Sequence, residues 1–239
     1  MATTSNPTTV VLVHGAFADA SGWAEVIRAL QARGYDVTAV QNPLSSYADD
    51  VATTKRVIDA QKGPVVVVAH SYGGAVISGA AAGNANVKAL VYVAAFAPDV
   101  GETLGTLART YPSQVFDAFR PDAAGFLYID RAQFHDVFAQ DLPEAETQVM
   151  AATQKPLSGS VFEVTPTVAA WKSVPSWFIV AQNDHVINPD LERMFAQRMG
   201  AKTTEVKSSH VAFMSHPEVV VAAIDEAAAA FAAAPAGAG

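Results

Sequence analysis

Short runs of β-branched and other apolar residues recur along the chain at Thr8 to Val13, Tyr35 to Val40, Val65 to Ala69, Val87 to Ala94, Ser176 to Ala181 and Thr203 to Val206. Several are apolar almost throughout, as strands of a parallel sheet must be when both faces are covered, and helix-period patterns lie between most of them. After the first run, Trp23, Val26, Ile27 and Leu30 fall at helical spacing, with Asp19 or Ser21 available as cap and Gly34 as the stop. Near the C-terminus, Pro217 opens a helix whose Val220, Ala223, Ile224 and Ala227 form an apolar stripe. The pattern predicts an α/β fold, a mostly parallel six-stranded sheet with helices on both faces.

Between residues 96 and 174 this alternation breaks. Pro98, Pro112, Pro121, Pro143, Pro156 and Pro166 punctuate short helical patterns, and no strand stands out. The stretches Asp130 to Gln140 and Pro143 to Gln154 are amphipathic enough to be helices. Without a sheet of its own this stretch makes a weak separate core, so residues 1–239 are expected to form one domain carrying a helical insertion at 96–174.

Composition narrows the function. Of 239 residues, 51% are hydrophobic and 16% charged, enough to bury a large core. The formal net charge of −8 repels phosphate backbones and anionic lipid surfaces, which disfavours nucleic acid and membrane partners. With no cysteine, disulfides, thiolate metal sites and a cysteine nucleophile are excluded. The opening MATTSNPTT lacks both a basic and an apolar region of a secretory signal, so a cytoplasmic location is expected. No apolar stretch reaches the roughly 20 residues of a membrane-spanning helix. The alanine-rich C-terminus is good helix material until Pro235, after which its small residues are expected to fray.

Directly after the run VVVVA comes Ala69-His70-Ser71-Tyr72-Gly73-Gly74, followed by a helical run of small residues. A serine on a sharp strand-to-helix turn needs small residues two before and two after it, which Ala69 and Gly73 supply, although glycine is commoner at the first. The alternative is a serine that merely caps a buried helix. A serine hydroxyl attacks only when a base takes its proton and a carboxylate orients that base. Asp184, just past the apolar SWFIVA, and His210, just past TTEV, follow in the order serine, acid, histidine, each at the carboxyl end of a strand.

Other residues compete for these roles. His185 adjoins Asp184 but diverges from it, His216 precedes Pro217 at a helix start, His135 lies in the insertion, and His70 should point away from Ser71. Asp99, after the fourth strand, is the alternative acid. An oxyanion needs two donors. The Tyr72 amide, in the first turn of the helix, is one, and the Ala16 amide in Val13-His14-Gly15-Ala16-Phe17 is the other, with His14 bracing that loop. No zinc-binding, Walker or dinucleotide signature occurs, so neither a metal nor another cofactor is expected.

With HGAF, AHSYGG, the Asp184 loop and SSHVAFMSHP in place, nearly the whole chain resembles the α/β-hydrolase superfamily. More narrowly it is similar to plant methylesterases, hydroxynitrile lyases and bacterial carboxylesterases of the pyrethroid-hydrolase type. The pointers are HGA with Trp23 downstream, AAFAP after the fourth strand, and a histidine followed by FMSHP. The resemblance implies an α/β-hydrolase fold, a Ser71–Asp184–His210 triad, an oxyanion hole from the Ala16 and Tyr72 amides, and a lid over the acyl pocket. The lyases typically carry Thr where Gly15 stands and Lys where Val211 stands, so ester hydrolysis is favoured over C–C cleavage.

The expectation is a cofactor-free serine hydrolase acting on small to medium apolar carboxylic esters, a small-molecule substrate. Phe17 and Val211, with Phe126, Phe134 and Trp171 from the insertion, are the candidate pocket residues. The rival readings are a small-ligand receptor on the same fold and a lyase or perhydrolase. Subunit number and the physiological ester leave no mark in the sequence.

Overall fold

Strands β1 (Thr9–Val13), β2 (Asp36–Val40), β3 (Val65–Ser71), β4 (Val87–Ala95), β8 (Ser176–Ala181) and β9 (Lys202–Val206) form a six-stranded sheet in the order β2-β1-β3-β4-β8-β9, and every pairing is parallel. This is a computed structural model and describes residues 7–232; the readings of the first six residues and of the tail past Pro235 lie outside the described residues. All residues of β1 and β3 are buried, so the valine runs are the middle layer of the core. Burying each such side chain stabilises the fold by about 1.5–3 kcal/mol before chain entropy is subtracted.

Helices α1 (Ala24–Ala32), α2 (Tyr47–Asp59), α3 (Tyr72–Ala80), α8 (Pro189–Met199), α9 (Ala212–Ser215) and α10 (Pro217–Ala232) cover the sheet. The first excursion begins as a 3₁₀ turn at Ala20–Trp23, where Asp19 accepts a hydrogen bond from the Ser21 amide at 2.7 Å. It passes directly into α1, and of the predicted stripe Trp23, Val26 and Leu30 are fully buried while Ile27 is half-buried against the core. In α10, Val220, Ile224 and Ala227 are likewise buried.

Between β4 and β8 lie α4 (Leu104–Thr110), α5 (Val115–Ala118), α6 (Phe134–Phe138) and α7 (Glu144–Thr153). They are joined by a three-stranded antiparallel sheet of β5 (Phe119–Pro121), β6 (Phe126–Ile129) and β7 (Leu157–Ser158). The helices agree with the sequence reading, but the small sheet does not appear in it. Strands of two to four residues, the first of them ended by Pro121, are too short to show a period.

The order of strands fixes where chemistry can occur. From β1 the chain steps outward to β2, returns to the other side of β1 as β3, and continues through β4, β8 and β9. A crevice therefore opens at the carboxyl ends of β1 and β3, where the strand order reverses. The loop Gly15–Phe17 and the end of β3 at Ser71 meet there.

Candidate active site

Ser71 ends β3 with φ 56 and ψ −129, a left-handed backbone that a non-glycine residue adopts at a cost of about 1–3 kcal/mol. The β3–β4 register slips between His70 and Ser71, and α3 starts at the next residue. Close approach makes this bend possible. A Cβ on Gly73 would sit 2.8 Å from the His14 carbonyl oxygen and 2.9 Å from that of Val13, and one on Gly74 would sit 2.2 Å from the Phe96 carbonyl oxygen. On the strand side, Ala69 is fully buried with its methyl in place, so the one departure from the commoner glycine pattern is accommodated.

The structure brings Ser71, His210 and Asp184 together. Ser71 Oγ lies 2.8 Å from His210 Nε2, and His210 Nδ1 lies 2.5 Å from Asp184 Oδ2. Asp184 Oδ1 accepts from the amides of Val186 at 2.6 Å and Ile187 at 2.9 Å, which fixes the carboxylate in its loop. With its Nδ1–H donated to Asp184, the imidazole presents Nε2 as acceptor for the serine hydroxyl. Serine and aspartate are each 4% exposed and the histidine is fully buried, so water does not compete for these bonds.

His70 has a role the sequence does not reveal. It holds the base from behind, its Nε2–H donating to the His210 carbonyl at 2.9 Å, while its ring stands 4.5 Å from that of His210 and 4.6 Å from Phe213. Burial pushes its imidazole well below the ordinary histidine range, helped by the neighbouring His210. It is therefore neutral and serves as a donor to a carbonyl.

The loop after β1 is braced in a similar way. His14 accepts from the Asn42 amide at 3.0 Å and donates from Nδ1 to the Gly15 carbonyl at 2.8 Å. Burial lowers its pKa to about 4. A Cβ on Gly15 would come 2.6 Å from Ser71 Cβ, so only glycine lets this backbone lie against the nucleophile. Phe17 follows with φ 60. Tyr72 opens α3, so its amide has no intrahelical acceptor, and its phenol is tied to Asp50 at 2.8 Å. Ala16 and Tyr72 line, with Ser71, a narrow cavity of about 30 Å³.

That cavity is walled mainly by Phe17, Phe96, Phe116, Phe119, Phe162 and Val186. Phe17 also borders a wider one of about 350 Å³, where Val211, Phe138, Met150 and Met214 meet the carboxylates of Asp19 and Glu146. Phe138 reaches the base directly, its ring 5.2 Å from that of His210. Of the residues expected to line a pocket, Phe17 borders both cavities and Val211 the wider one. Phe126, Phe134 and Trp171 do not line either cavity. Phe126 belongs to β6, Phe134 is buried behind Phe138 at 4.9 Å between rings, and Trp171 donates to the Pro98 carbonyl at 3.1 Å with the Arg198 guanidinium over its ring. Phe134 and Trp171 are used in packing, and Phe119 and Phe162 take the wall positions instead.

The competing residues are engaged elsewhere. His185 Nδ1 is 2.8 Å from the Asp136 carbonyl, His135 Nδ1 is 3.0 Å from Thr147 Oγ1, and His216 faces Glu218 at 3.4 Å. Asp99 pairs with Lys172 at 2.6 Å, and the carboxylate bonded to His210 is that of Asp184. Among the described residues, no group of three or more His, Asp or Glu is arranged to hold a metal ion, and no helix is long and apolar enough to cross a membrane.

Comparison with known proteins agrees with this architecture. A sequence profile described as alpha/beta hydrolase family matches residues 10–223. The chain is 28% identical over 243 residues to the alpha/beta hydrolase nvfD of Aspergillus novofumigatus, covering 92% of this chain and 96% of that one. It is 26% identical over 201 residues to a probable hydrolase, R7, of a Phoma species, covering 78% and 81% respectively. Among solved structures, a pyrethroid hydrolase from Sphingobium faniae superposes with a TM-score of 0.79 at 24% identity, over 94% of this chain and 99% of that one. Polyneuridine aldehyde esterase does so with a TM-score of 0.79 at 18% identity, over 92% and 99%. At these identities the structural likeness speaks for the fold.

Proposed function

The chain belongs to the alpha/beta hydrolase family, and from that premise we propose that it is a serine hydrolase cleaving carboxylic esters through an acyl-enzyme. One observation carries the reading: on the strained turn after β3, the serine hydroxyl, the imidazole and the carboxylate are linked in sequence at 2.8 and 2.5 Å, the imidazole and carboxylate buried and the serine bordering a cavity. Ser71 Oγ attacks the ester carbonyl while its proton passes to His210 Nε2, and the Asp184 carboxylate steadies the imidazolium that forms. The negative charge on the carbonyl oxygen is received by the amides of Ala16 and Tyr72. Collapse of this intermediate expels the alcohol, which takes the proton from Nε2. Water then attacks the acyl-serine by the same route, releasing the acid and restoring the hydroxyl.

The segment between β4 and β8 acts as a cap in this reading, since Val115, Phe119 and Phe162 wall the narrow cavity and Val149 and Met150 of α7 border the wide one. The two cavities differ in size and flank Phe17, which suits an ester with one small half and one larger apolar half. Lyase chemistry is disfavoured, because the Gly15 position has no space for a threonine and the residue after the base is the buried Val211. The test is Ser71→Ala: turnover of p-nitrophenyl acetate should vanish in a variant with an unchanged melting temperature. Wild-type activity in that variant would reject the proposal.

A further inference from the structure

Glu192 is a buried acid that the proposed mechanism does not use. It lies in the first turn of α8, where a glutamate ordinarily stays in solvent and favours the helix dipole, yet here it is fully buried. Its Oε2 accepts from the Ala181 amide at 3.0 Å, at the end of β8, and its Oε1 has no donor facing it. The neighbouring titratable group is Asp184, three residues beyond Ala181 and itself 4% exposed.

Two ionised carboxylates cannot share such a site. An ionised Glu192 would have a single amide donor for its charge, no ion pair among the described residues, and a like charge beside it. Asp184 is much better provided, with two amides on Oδ1 and the imidazole on Oδ2. Carboxyl pairs of this kind resolve by keeping one proton between them. We propose that Glu192 is a neutral carboxylic acid whose proton is donated to the Asp184 carboxylate, making it a positioning residue for the relay of Ser71, His210 and Asp184. Burial, reinforced by the charge of Asp184, pushes the Glu192 carboxyl well above the usual carboxylate range, opposed by the Ala181 amide and by Arg193. The orphaned Oε1 then has a purpose: as the O–H it needs an acceptor, and Asp184 is the acceptor at hand. The acid ties α8 to the end of β8 and to the loop that orients the base, with no net charge added to the core.

The protonation state is independent of the esterase reading, whereas its effect on turnover rests on it, and the two are measured separately. Infrared spectra of protein with ¹³C-labelled glutamate, taken at neutral pH without substrate, should show the carbonyl stretch of a protonated carboxyl that disappears in Glu192→Gln and persists in Glu146→Gln. Glutamine keeps both the acceptor and a neutral donor, so Glu192→Gln should hold kcat within about threefold of wild type. Glu192→Met, which fills the space but removes both hydrogen bonds, should lower kcat roughly tenfold or more with little change in KM. If the Met variant does not fold, the infrared band and the Gln variant decide. Absence of the band, or a Gln variant impaired as severely as the Met variant, would overturn the proposal. A wild type that shows the band but hydrolyses no ester would overturn the esterase reading instead.

Discussion

Replacing Gly73 by alanine adds one methyl at the most crowded joint of the site. That carbon would lie 2.8 Å from the His14 carbonyl oxygen and 2.9 Å from that of Val13, both backbone atoms that no rotamer change can move aside. An acceptable carbon–oxygen contact is about 3.3 Å or more, so α3 and the end of β1 must separate by roughly half an ångström. Overpacking of this kind costs about 1–3 kcal/mol, and for a chain of this size each kcal/mol lowers the melting temperature by about 2–4 °C. The larger effect should be catalytic, because the displaced carbonyl belongs to the loop that holds Ala16 opposite Tyr72. Loss of one oxyanion donor lowers kcat about 10²–10³-fold, and a value near the lower end is expected, with KM little changed. Steady-state hydrolysis of p-nitrophenyl acetate and a thermal melt followed by circular dichroism measure both. Ala69→Gly is the control and should remain active, since it removes a methyl where one is tolerated. A Gly73→Ala variant with wild-type kcat and melting temperature would refute the close-approach argument.

Acid should destabilise the fold through its buried neutral imidazoles. His14 titrates near 4 in the folded chain and near 6.5 when unfolded, so between these values the unfolded state binds the extra proton. Stability is then complete above about 6.5 and lost as pH falls to about 4, by about 3 kcal/mol for this residue. Urea titrations at neutral and acid pH should show a shallower loss in His14→Asn, and an identical pH dependence would reject the assignment. Gly15→Thr, which places a Cβ 2.6 Å from Ser71 Cβ, should lower esterase activity by at least roughly tenfold through displacement of the nucleophile and should create no cyanohydrin cleavage; product analysis with mandelonitrile checks the second point. Phe119→Ala opens the narrow cavity and should raise relative kcat/KM for longer acyl chains in a p-nitrophenyl ester series, and an unchanged chain-length profile would remove Phe119 from the specificity wall.

Much of this was legible in the sequence for definite reasons. Parallel strands covered on both faces must be apolar throughout, so VVVVA marks β3 without ambiguity. The turn that exposes the nucleophile depends on residues within two positions of Ser71, a local signal. Asp184 and His210 stand at strand ends, where the fold gathers polar groups. The walls supplied by the segment between β4 and β8 were not legible, because Phe119 and Phe162 arrive from separate parts of an irregular segment and differ from Phe126 and Phe134 only in what they face. Glu192 was hidden for a different reason: its sequence position suits an exposed first-turn acid, and only the packing of α8 against β8 buries it. His70 was expected to point away from the serine; its packing against the His210 ring and its hold on the His210 backbone, a contact across 140 residues, are carried by no local pattern.

The proposed hydrolysis depends on activation of the Ser71 hydroxyl by His210. Incubation with a fluorophosphonate followed by peptide mass mapping tests this most directly. The expected result is a single phosphonyl adduct on the peptide containing Ser71, absent in Ser71→Ala and formed far more slowly in His210→Ala. An active enzyme that carries no adduct at Ser71, or one labelled at the same rate without the imidazole, would contradict it.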